Sequence, residues 1–317
     1  MKIAELLDKY LKERHLRPAS ARSYLGVGKV FADDLKDPDL EILTVDDLVR
    51  WREQILGRAR PATWNNYHRH TKALWRWAVR TGLLEQDPFI RVTSVPVVKS
   101  GKKILDEDAL AKACSLMAKN PDRYKPAWFW IIVLRFMYAT GARRRQMVAL
   151  RWRDIDWENA SLTFTVEGSK TRREWKIPLT PETMRDLSVL QERARQYSRS
   201  LNSSEQDKAM LEQQIFSLPL FNRRYRGPEM LEDHLSKIMV RLSKDAGITI
   251  SPHRIRHTTA TRLASGKNPD LKSIQQYLGH SNLLQTLEYV HPDIDQMRLL
   301  HEKLDHLPWE VPTSDLD

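Results

Sequence analysis

The chain has 317 residues, which is long enough for two ordinary domains, each with its own hydrophobic core. Lys and Arg number 52 and Asp and Glu 41, so the formal charge is +11 and the pI about 9.7, which favours a polyanionic partner, above all nucleic acid. The single cysteine, Cys114, excludes an internal disulfide and a cysteine-based metal cluster, and it fits a reducing compartment such as the cytoplasm.

No stretch of the sequence is typical of an exported or membrane-spanning protein. The first residues, MKIAELLDKYLKERHL, are amphipathic and contain acidic side chains, whereas a signal peptide has an apolar core. The longest apolar run, PAWFWIIVL at 126–134, is too short to span a bilayer and is followed by Arg135. We therefore expect a soluble protein without a membrane partner.

The first part of the chain, residues 1–88, predicts a helical domain. Amphipathic stretches alternate with short breaks, and start signals such as Thr44 and Pro61 mark where helices begin. The predicted helices are 3–13, 18–35, 44–56 and 61–81. Residues 89–103 then lose the helical periodicity and gain Pro, Ser, Gly and Lys, which is typical of an interdomain linker.

The second part, residues 104–317, mixes helices with a short β region. The predicted helices lie at 106–119, at 126–139 and beyond 181. Within 153–179, the stretches LTFTV and EWKIPL alternate in polarity as strands do, with a polar turn around Gly168 between them. The predicted fold class is therefore mainly α with a small antiparallel β-sheet.

Three consecutive arginines follow the apolar helix at 126–139. Arg143, Arg144 and Arg145 come directly after Thr140 and Gly141, where the chain is expected to turn into another helix. Taken alone, they are also typical of a basic helix start that merely favours DNA.

The stretch SPHRIRHTTATRLASG, 251–266, gathers basic and titratable side chains on one turn of a predicted helix. His253, Arg256 and His257 follow a Ser-Pro pair, which is a usual helix start. The alternative is a solvated helix start without a function.

Three further residues are candidates for chemistry. Lys170 lies in EGSKT at the tip of the predicted hairpin, although most lysines at such tips are exposed to solvent without a role. His280 follows Gly279, and Tyr289 comes nine positions later. A single tyrosine in a helix is usually a half-buried packing residue.

Taken together, these residues supply the groups that a phosphoryl transfer reaction needs, which none of them indicates alone. Arginines offer forked donors to phosphate oxygens, histidines donate or carry protons, a lysine can protonate a leaving oxygen, and a tyrosine can attack phosphorus. The histidines lack an HExxH pattern and their arginine neighbours would repel a cation, so no metal is expected. The set is complete for metal-free phosphoryl transfer.

In order and spacing, the residues resemble the tyrosine recombinase family, also called the phage integrase family. ATGARRRQMVALRWRDID is similar to its first arginine box, GSKT to its hairpin lysine, HRIRHTTAT to its His-x-x-Arg box and YLGHSNLLQTLEYVH to its last box. The resemblance covers nearly the whole chain. It departs at Gln146, where the family often has an acidic residue.

The resemblance implies a helical core-binding domain at 1–88, a linker at 89–103 and an α+β catalytic domain at 104–317. The implied activity is site-specific DNA recombination through a 3′-phosphotyrosyl intermediate, without a cofactor, in the integration, excision, inversion or resolution of a mobile element or replicon. His257 would support the site. The implied catalytic residues are Arg143, Lys170, His253, Arg256, His280 and Tyr289.

The resemblance also implies partners. These are double-stranded DNA at specific sites, further copies of the chain in a tetrameric synapse, and accessory DNA-bending proteins, all at the nucleoid in the cytoplasm. Basic residues beside the site and in the linker are expected to contact DNA phosphates. They are Arg144, Arg145, Lys99, Lys102 and Lys103.

Two segments stay without a settled role. The polar stretch 195–214 is expected to be an exposed excursion. In the tail, Leu300, Leu304 and Leu307 recur at helical spacing, so this segment packs either on a neighbouring protomer or on its own domain.

Three other functions share part of this pattern. A type IB topoisomerase would use the same chemistry, but the helical N-terminal domain argues against it. A DNA-binding protein with an inactive site is disfavoured because all six reactive side chains are present. A metal-dependent nuclease would need an acidic cluster near the histidines. Because core-binding helices begin at once, a simple recombinase without an arm-binding domain is expected.

Overall fold

The computed structural model describes residues 1–97, 103–168, 173–197, 210–222, 224–225, 227–265, 269–290, 297–298 and 301. The chain divides into two compact units, Met1–Gly101 and Lys102–Asp317. Within the described ranges, none of the helices combines the length and the apolar character needed to cross a membrane.

The N-terminal unit is built from four helices that agree with the predicted ones to within two residues at each end. Proline opens two of them, and the third begins with a capping box between Thr44 and Asp47, whose side chains each bond the other's backbone N–H. The helices are α1 (Ile3–Arg14), α2 (Pro18–Leu35), α3 (Val45–Arg58) and α4 (Pro61–Arg80).

Aromatic side chains form the core of this unit. Trp51 is fully buried, and its ring centroid lies 5.1 Å from that of Phe31 and 5.3 Å from that of Trp64. The indole N–H groups keep partners, since Trp51 donates to Asp34 and Trp64 to the carbonyl of Thr93. These tryptophans therefore stabilise the fold and are not available to stack on bases.

The packed unit extends beyond residue 88, where the predicted linker begins. Phe89 and Val92 are buried in the same aromatic core. The amide of Asn65 bonds both backbone groups of Val95, each at 2.8 Å. Apolar burial therefore holds residues that a loss of periodicity assigned to a linker. Of the predicted linker lysines, Lys103 is exposed, and Lys99 and Lys102 lie outside the described residues.

The second unit has the predicted composition of helices around a small antiparallel sheet, which confirms the fold class. The three strands are in the order β1-β2-β3, and Leu162 on the central strand pairs with Ile155 and Ile177. The elements are α5 (Glu107–Lys119), α6 (Ala127–Thr140), α7 (Arg144–Ala149), β1 (Ile155–Asp156), β2 (Ser161–Phe164), β3 (Trp175–Pro178), α8 (Pro181–Tyr197), α9 (Leu218–Phe221), α10 (Glu232–Ala246), α11 (Pro252–Leu263), α12 (Leu271–Leu278) and α13 (Leu284–Leu287).

Helix α6 is the centre of this unit because it is apolar nearly all round. It packs against α5, α8 and α11, and Phe129, Val133 and Met137 are fully buried along it. Packing on three sides fixes the position of this helix and of its last residue. The residues that follow Thr140 therefore leave a rigid core at a defined point beside α11.

Several predicted features lie outside the described residues. These are the hairpin-tip Lys170, residues 198–209 of the polar stretch, and the tail leucines Leu300, Leu304 and Leu307.

Asn65→Ala is expected to destabilise the N-terminal unit by about 1–3 kcal/mol, because it removes two hydrogen bonds of ordinary net strength. Urea unfolding followed by tryptophan fluorescence measures this change. The matched control is Asn66→Ala, whose side chain accepts an exposed hydrogen bond from Arg69 and whose loss should cost less than about 0.5 kcal/mol. Equal losses in the two variants would contradict the anchoring of Val95.

Candidate active site

The loop after α6 places Arg143 at the edge of the core. Gly141 ends the helix at φ +62, and a Cβ at this position would lie 3.0 Å from the Leu278 side chain. Both the left-handed backbone and the close approach require glycine. Arg143 follows two residues later as a half-buried side chain at the start of α7.

Gln146 caps this short helix. Its Oε1 accepts a 2.7 Å hydrogen bond from the backbone N–H of Arg143, so a neutral amide supplies an acceptor where the family often has a carboxylate. Only 2% of Gln146 is exposed, and its Nε2 has no hydrogen-bond partner among the described residues. The amide therefore supports the arginine loop without adding a negative charge.

The two arginines after Arg143 bond to protein groups. Arg144 donates to the hydroxyl of Ser236 on α10. Arg145 is exposed, and its Nε donates to the carbonyl of Glu167 at 3.0 Å. Glu167 lies in the segment between β2 and β3, so Arg145 joins α7 to the connection between these two strands.

Helix α11 supplies the next residues from a well-defined start. Ser251 caps it by accepting the N–H of Arg254, and His253 lies exposed in the first turn. Arg256 is only 5% exposed. Its Nη1 donates to the carbonyl of Gly141 and its Nη2 to that of Leu278, both at 2.7 Å. One guanidinium thereby joins the end of α6 to the end of α12.

His280 lies just beyond α12, where the chain turns at Gly279 with φ +61. A Cβ on that glycine would overlap the ring of Trp175 at 2.3 Å, so glycine is required again. His280 is 7% exposed, and its Nδ1 is 2.9 Å from the hydroxyl of Thr286. This contact fixes the ring orientation.

Tyr289 follows the four-residue helix α13 and is 5% exposed. Its ring stacks on His280, with centroids 5.9 Å apart and planes 10° from parallel. Its backbone N–H donates to the carbonyl of Thr286, and its hydroxyl is 2.8 Å from Nδ1 of His257. The tyrosine is thus held by contacts at both its backbone and its hydroxyl.

Positive charge accumulates in the site without a carboxylate partner. Burial, and to a smaller extent the nearby Arg143, lower the pKa of the Arg256 guanidinium to about 9, while Tyr289 opposes the shift. Burial also lowers the pKa of Arg143. Partial burial of its ring, together with Arg144, Arg256 and Arg143, lowers the pKa of His253. In the described parts of the chain neither Arg143 nor Arg256 pairs with an acid, so the site suits an anion.

The structure brings together five of the six predicted catalytic residues and adds two contacts that the sequence interpretation missed. Among the described residues, no three His, Cys, Asp or Glu side chains are grouped to hold a metal ion. The missed contacts are those of Thr286 with His280 and of His257 with the hydroxyl of Tyr289. For the contact of His257 with Tyr289, the sequence signal is that His257 lies one helical turn after His253 and therefore on the same face of the helix.

Comparison with known proteins agrees with this geometry. Residues 103–295 match the model of the phage integrase family. A Pseudomonas aeruginosa relative assigned as the tyrosine recombinase XerC is 28% identical over 315 residues, which cover 94% of this chain and 71% of the relative.

Solved structures share the fold. The Tn1549 transposon integrase in complex with a circular intermediate DNA has a TM-score of 0.72 at 20% identity, covering 96% of this chain and 99% of that chain. The lambda integrase tetramer bound to a Holliday junction has a TM-score of 0.68 at 17% identity, covering 92% of this chain and 78% of that chain.

Sulfate is expected to stabilise the second unit by occupying the cationic site. At about ten times its Kd, it should add about 1.4 kcal/mol of unfolding free energy. Thermal unfolding in sulfate and in chloride at equal ionic strength measures the effect.

Because sulfate also stabilises proteins by exclusion from their surfaces, two variants separate the causes. Arg143→Gln should lose the extra stabilisation, whereas Arg185→Gln, on the exposed face of α8 beside Glu182, should keep it. A sulfate response that is unchanged in Arg143→Gln would contradict anion binding at this site.

Proposed function

The chain belongs to the phage integrase family and is a site-specific DNA recombinase, and from this premise we propose that Tyr289 is the nucleophile that cuts and rejoins the DNA strand. One observation carries the assignment. The hydroxyl of this buried tyrosine lies within a cluster of two arginines and two histidines that lacks a carboxylate among the described residues.

In the proposed reaction, the Tyr289 hydroxyl oxygen attacks the scissile phosphorus. A bond forms between this oxygen and phosphorus, the bond from phosphorus to the 5′ oxygen breaks, and a 3′-phosphotyrosyl link and a free 5′ hydroxyl result. Because one phosphoester replaces another, the bond energy is conserved for rejoining. The reverse attack by a 5′ hydroxyl reseals the strand without an external energy source.

Arg143, Arg256 and His280 would bind the non-bridging oxygens as negative charge develops on them. A guanidinium has five N–H donors, and Arg256 uses two on protein carbonyls, which leaves others for the phosphate. The burial that lowers the pKa values of both arginines also keeps competing water away. Removal of one such preorganised donor typically costs about 10²- to 10³-fold in rate.

Two further groups complete the proposal. Lys170 would protonate the departing 5′ oxygen, and the bond from Arg145 to the carbonyl of Glu167 supports this because it holds the segment between β2 and β3, to which Lys170 belongs in sequence, beside α7. His253 lies in the first turn of α11, where the helix N-terminus also favours an anion. We propose that it donates to the same phosphate and helps to carry protons.

The proposed partner is double-stranded DNA at specific sites, bound by the helical N-terminal unit as a core-binding domain and by the catalytic unit. The net charge of +11 supports this. So does the transposon integrase of similar fold, which was solved with DNA. The proposed phosphate contacts are Arg144, Arg145, Lys99, Lys102 and Lys103.

The lambda integrase tetramer on a Holliday junction supports a tetrameric synapse for this chain. We place the reaction at the nucleoid in the cytoplasm and propose accessory DNA-bending proteins as further partners. Without bound DNA, Arg144 and Arg145 bond to protein groups, so their phosphate contacts would use their remaining donors.

The wild-type protein, incubated in chelator with a library of nicked suicide duplexes, is expected to form a covalent protein–DNA adduct. Tyr289→Phe should form none, because no nucleophile remains, and sequencing of the trapped DNA identifies the site. Tyr277→Phe removes a hydroxyl that donates to the carbonyl of Ala139 and should keep the adduct. Tight DNA binding without an adduct on any duplex would contradict the proposal.

Thr286→Val is expected to slow adduct formation about tenfold, because it removes one hydrogen bond of about 1–1.5 kcal/mol that orients His280. Single-turnover cleavage measures the rate, and DNA affinity should stay the same. Thr286→Ser keeps the hydroxyl and should keep the rate. If both variants slow equally, packing at this buried position and not the hydrogen bond is responsible.

A further inference from the structure

Helix α11 carries two histidines one turn apart, and they occupy different environments. His253 lies exposed in the first turn, whereas His257 is half-buried one turn further along. The Nδ1 atom of His257 is 2.8 Å from the hydroxyl oxygen of Tyr289. In the proposed reaction His257 supports the site and has no chemical role of its own.

The contact has the geometry of a proton transfer pair. The distance lies within the range of about 2.6–3.2 Å that a general base requires. The two rings are tilted by 41° with centroids 5.6 Å apart, so their closest approach runs through the polar atoms and not through stacked faces. Since Tyr289 is only 5% exposed, protein groups surround most of it, and His257 is a base within direct reach of its proton.

We propose that His257 is a catalytic residue that takes the proton of Tyr289 during cleavage and returns it during rejoining. As the tyrosine oxygen bonds to phosphorus, its proton moves to Nδ1 of a neutral His257, and the 5′ oxygen leaves with a proton from the proposed general acid. In the reverse direction, the 5′ hydroxyl returns its proton to that general acid as its oxygen attacks phosphorus, and the imidazolium protonates the departing tyrosine oxygen. The inference rests on the proposed role of Tyr289 as nucleophile.

The charges around Tyr289 couple this transfer to DNA binding. Arg143 at the start of α7 and Arg256 on α11 both interact electrostatically with Tyr289, and the ring of His280 stacks on the tyrosine ring. A bound phosphate would neutralise part of this positive charge, so the proton that leaves Tyr289 enters a less cationic site when substrate is present.

The test compares single-turnover cleavage of a suicide duplex by the wild type, His257→Asn and His253→Asn across pH. An Asn side chain can keep a hydrogen bond to the tyrosine hydroxyl but cannot take its proton. His257→Asn should therefore cleave about 10²-fold or more slowly, with unchanged DNA affinity. The wild-type rate should fall at acid pH as the imidazole becomes protonated, and His257→Asn should lack this fall.

His253→Asn, one turn away, should slow cleavage through the loss of its proposed phosphate contact, but it should keep the fall in rate at acid pH, because that fall comes from His257. A second measurement replaces Tyr289 with 3-fluorotyrosine, whose more acidic phenol needs less help from a base. This replacement should speed His257→Asn by a larger factor than it speeds the wild type. His257→Gln supplies the same comparison if thermal unfolding shows that His257→Asn does not fold.

The outcomes separate the two proposals. A wild type that forms no adduct overturns the assignment of Tyr289 and this inference with it. A wild type that forms the adduct while His257→Asn matches its rate overturns the inference alone. A slow His257→Asn that keeps the fall at acid pH and gains nothing extra from fluorotyrosine also overturns it, because His257 would then only position the tyrosine.

Discussion

Two hydrogen bonds from Arg256 hold together the loops on which the active site depends. Gly141 and Leu278 lie at the C-terminal ends of α6 and α12. The backbone carbonyls of both residues accept hydrogen bonds from the same buried guanidinium. Arg143 follows the first carbonyl by two residues and His280 follows the second by two. A lysine could not replace Arg256, because a single ammonium lacks the rigid fork that reaches two carbonyls and still presents donors to a phosphate.

The same arrangement concentrates positive charge that no acidic side chain among the described residues neutralises. Buried cations without acidic partners cost stability, and burial lowers the pKa values of Arg143 and Arg256 for the same reason. Gln146 preserves this positive charge, because it caps α7 through a neutral amide. A DNA phosphodiester would supply the missing negative charge. The same excess of positive charge would therefore favour DNA binding and stabilise the negative charge that develops during the reaction.

Much of the fold follows from local patterns. Helix ends in the N-terminal unit agree with prediction because proline, capping residues and apolar periodicity act within one or two turns. The two longer strands follow from alternation at LTFTV and EWKIPL, while the two-residue strand β1 has no alternation of its own and exists by pairing with β2. Residues 89–95 have the composition of a linker. Phe89 and Val92 are nevertheless buried against helices whose residues are far away in the sequence.

The sequence by itself determined the inventory of the site: which reactive side chains are present, in which order, and that His253 and Arg256 share one face of a helix. Spacing within a helix is local, so it can be read from the chain. Only the tertiary structure decided that His257 contacts the hydroxyl of Tyr289, that Thr286 orients His280 and that one guanidinium joins two loops. The first and last of these depend on how separate helices pack, and the second on the turn between His280 and Tyr289, which no helical or strand period describes.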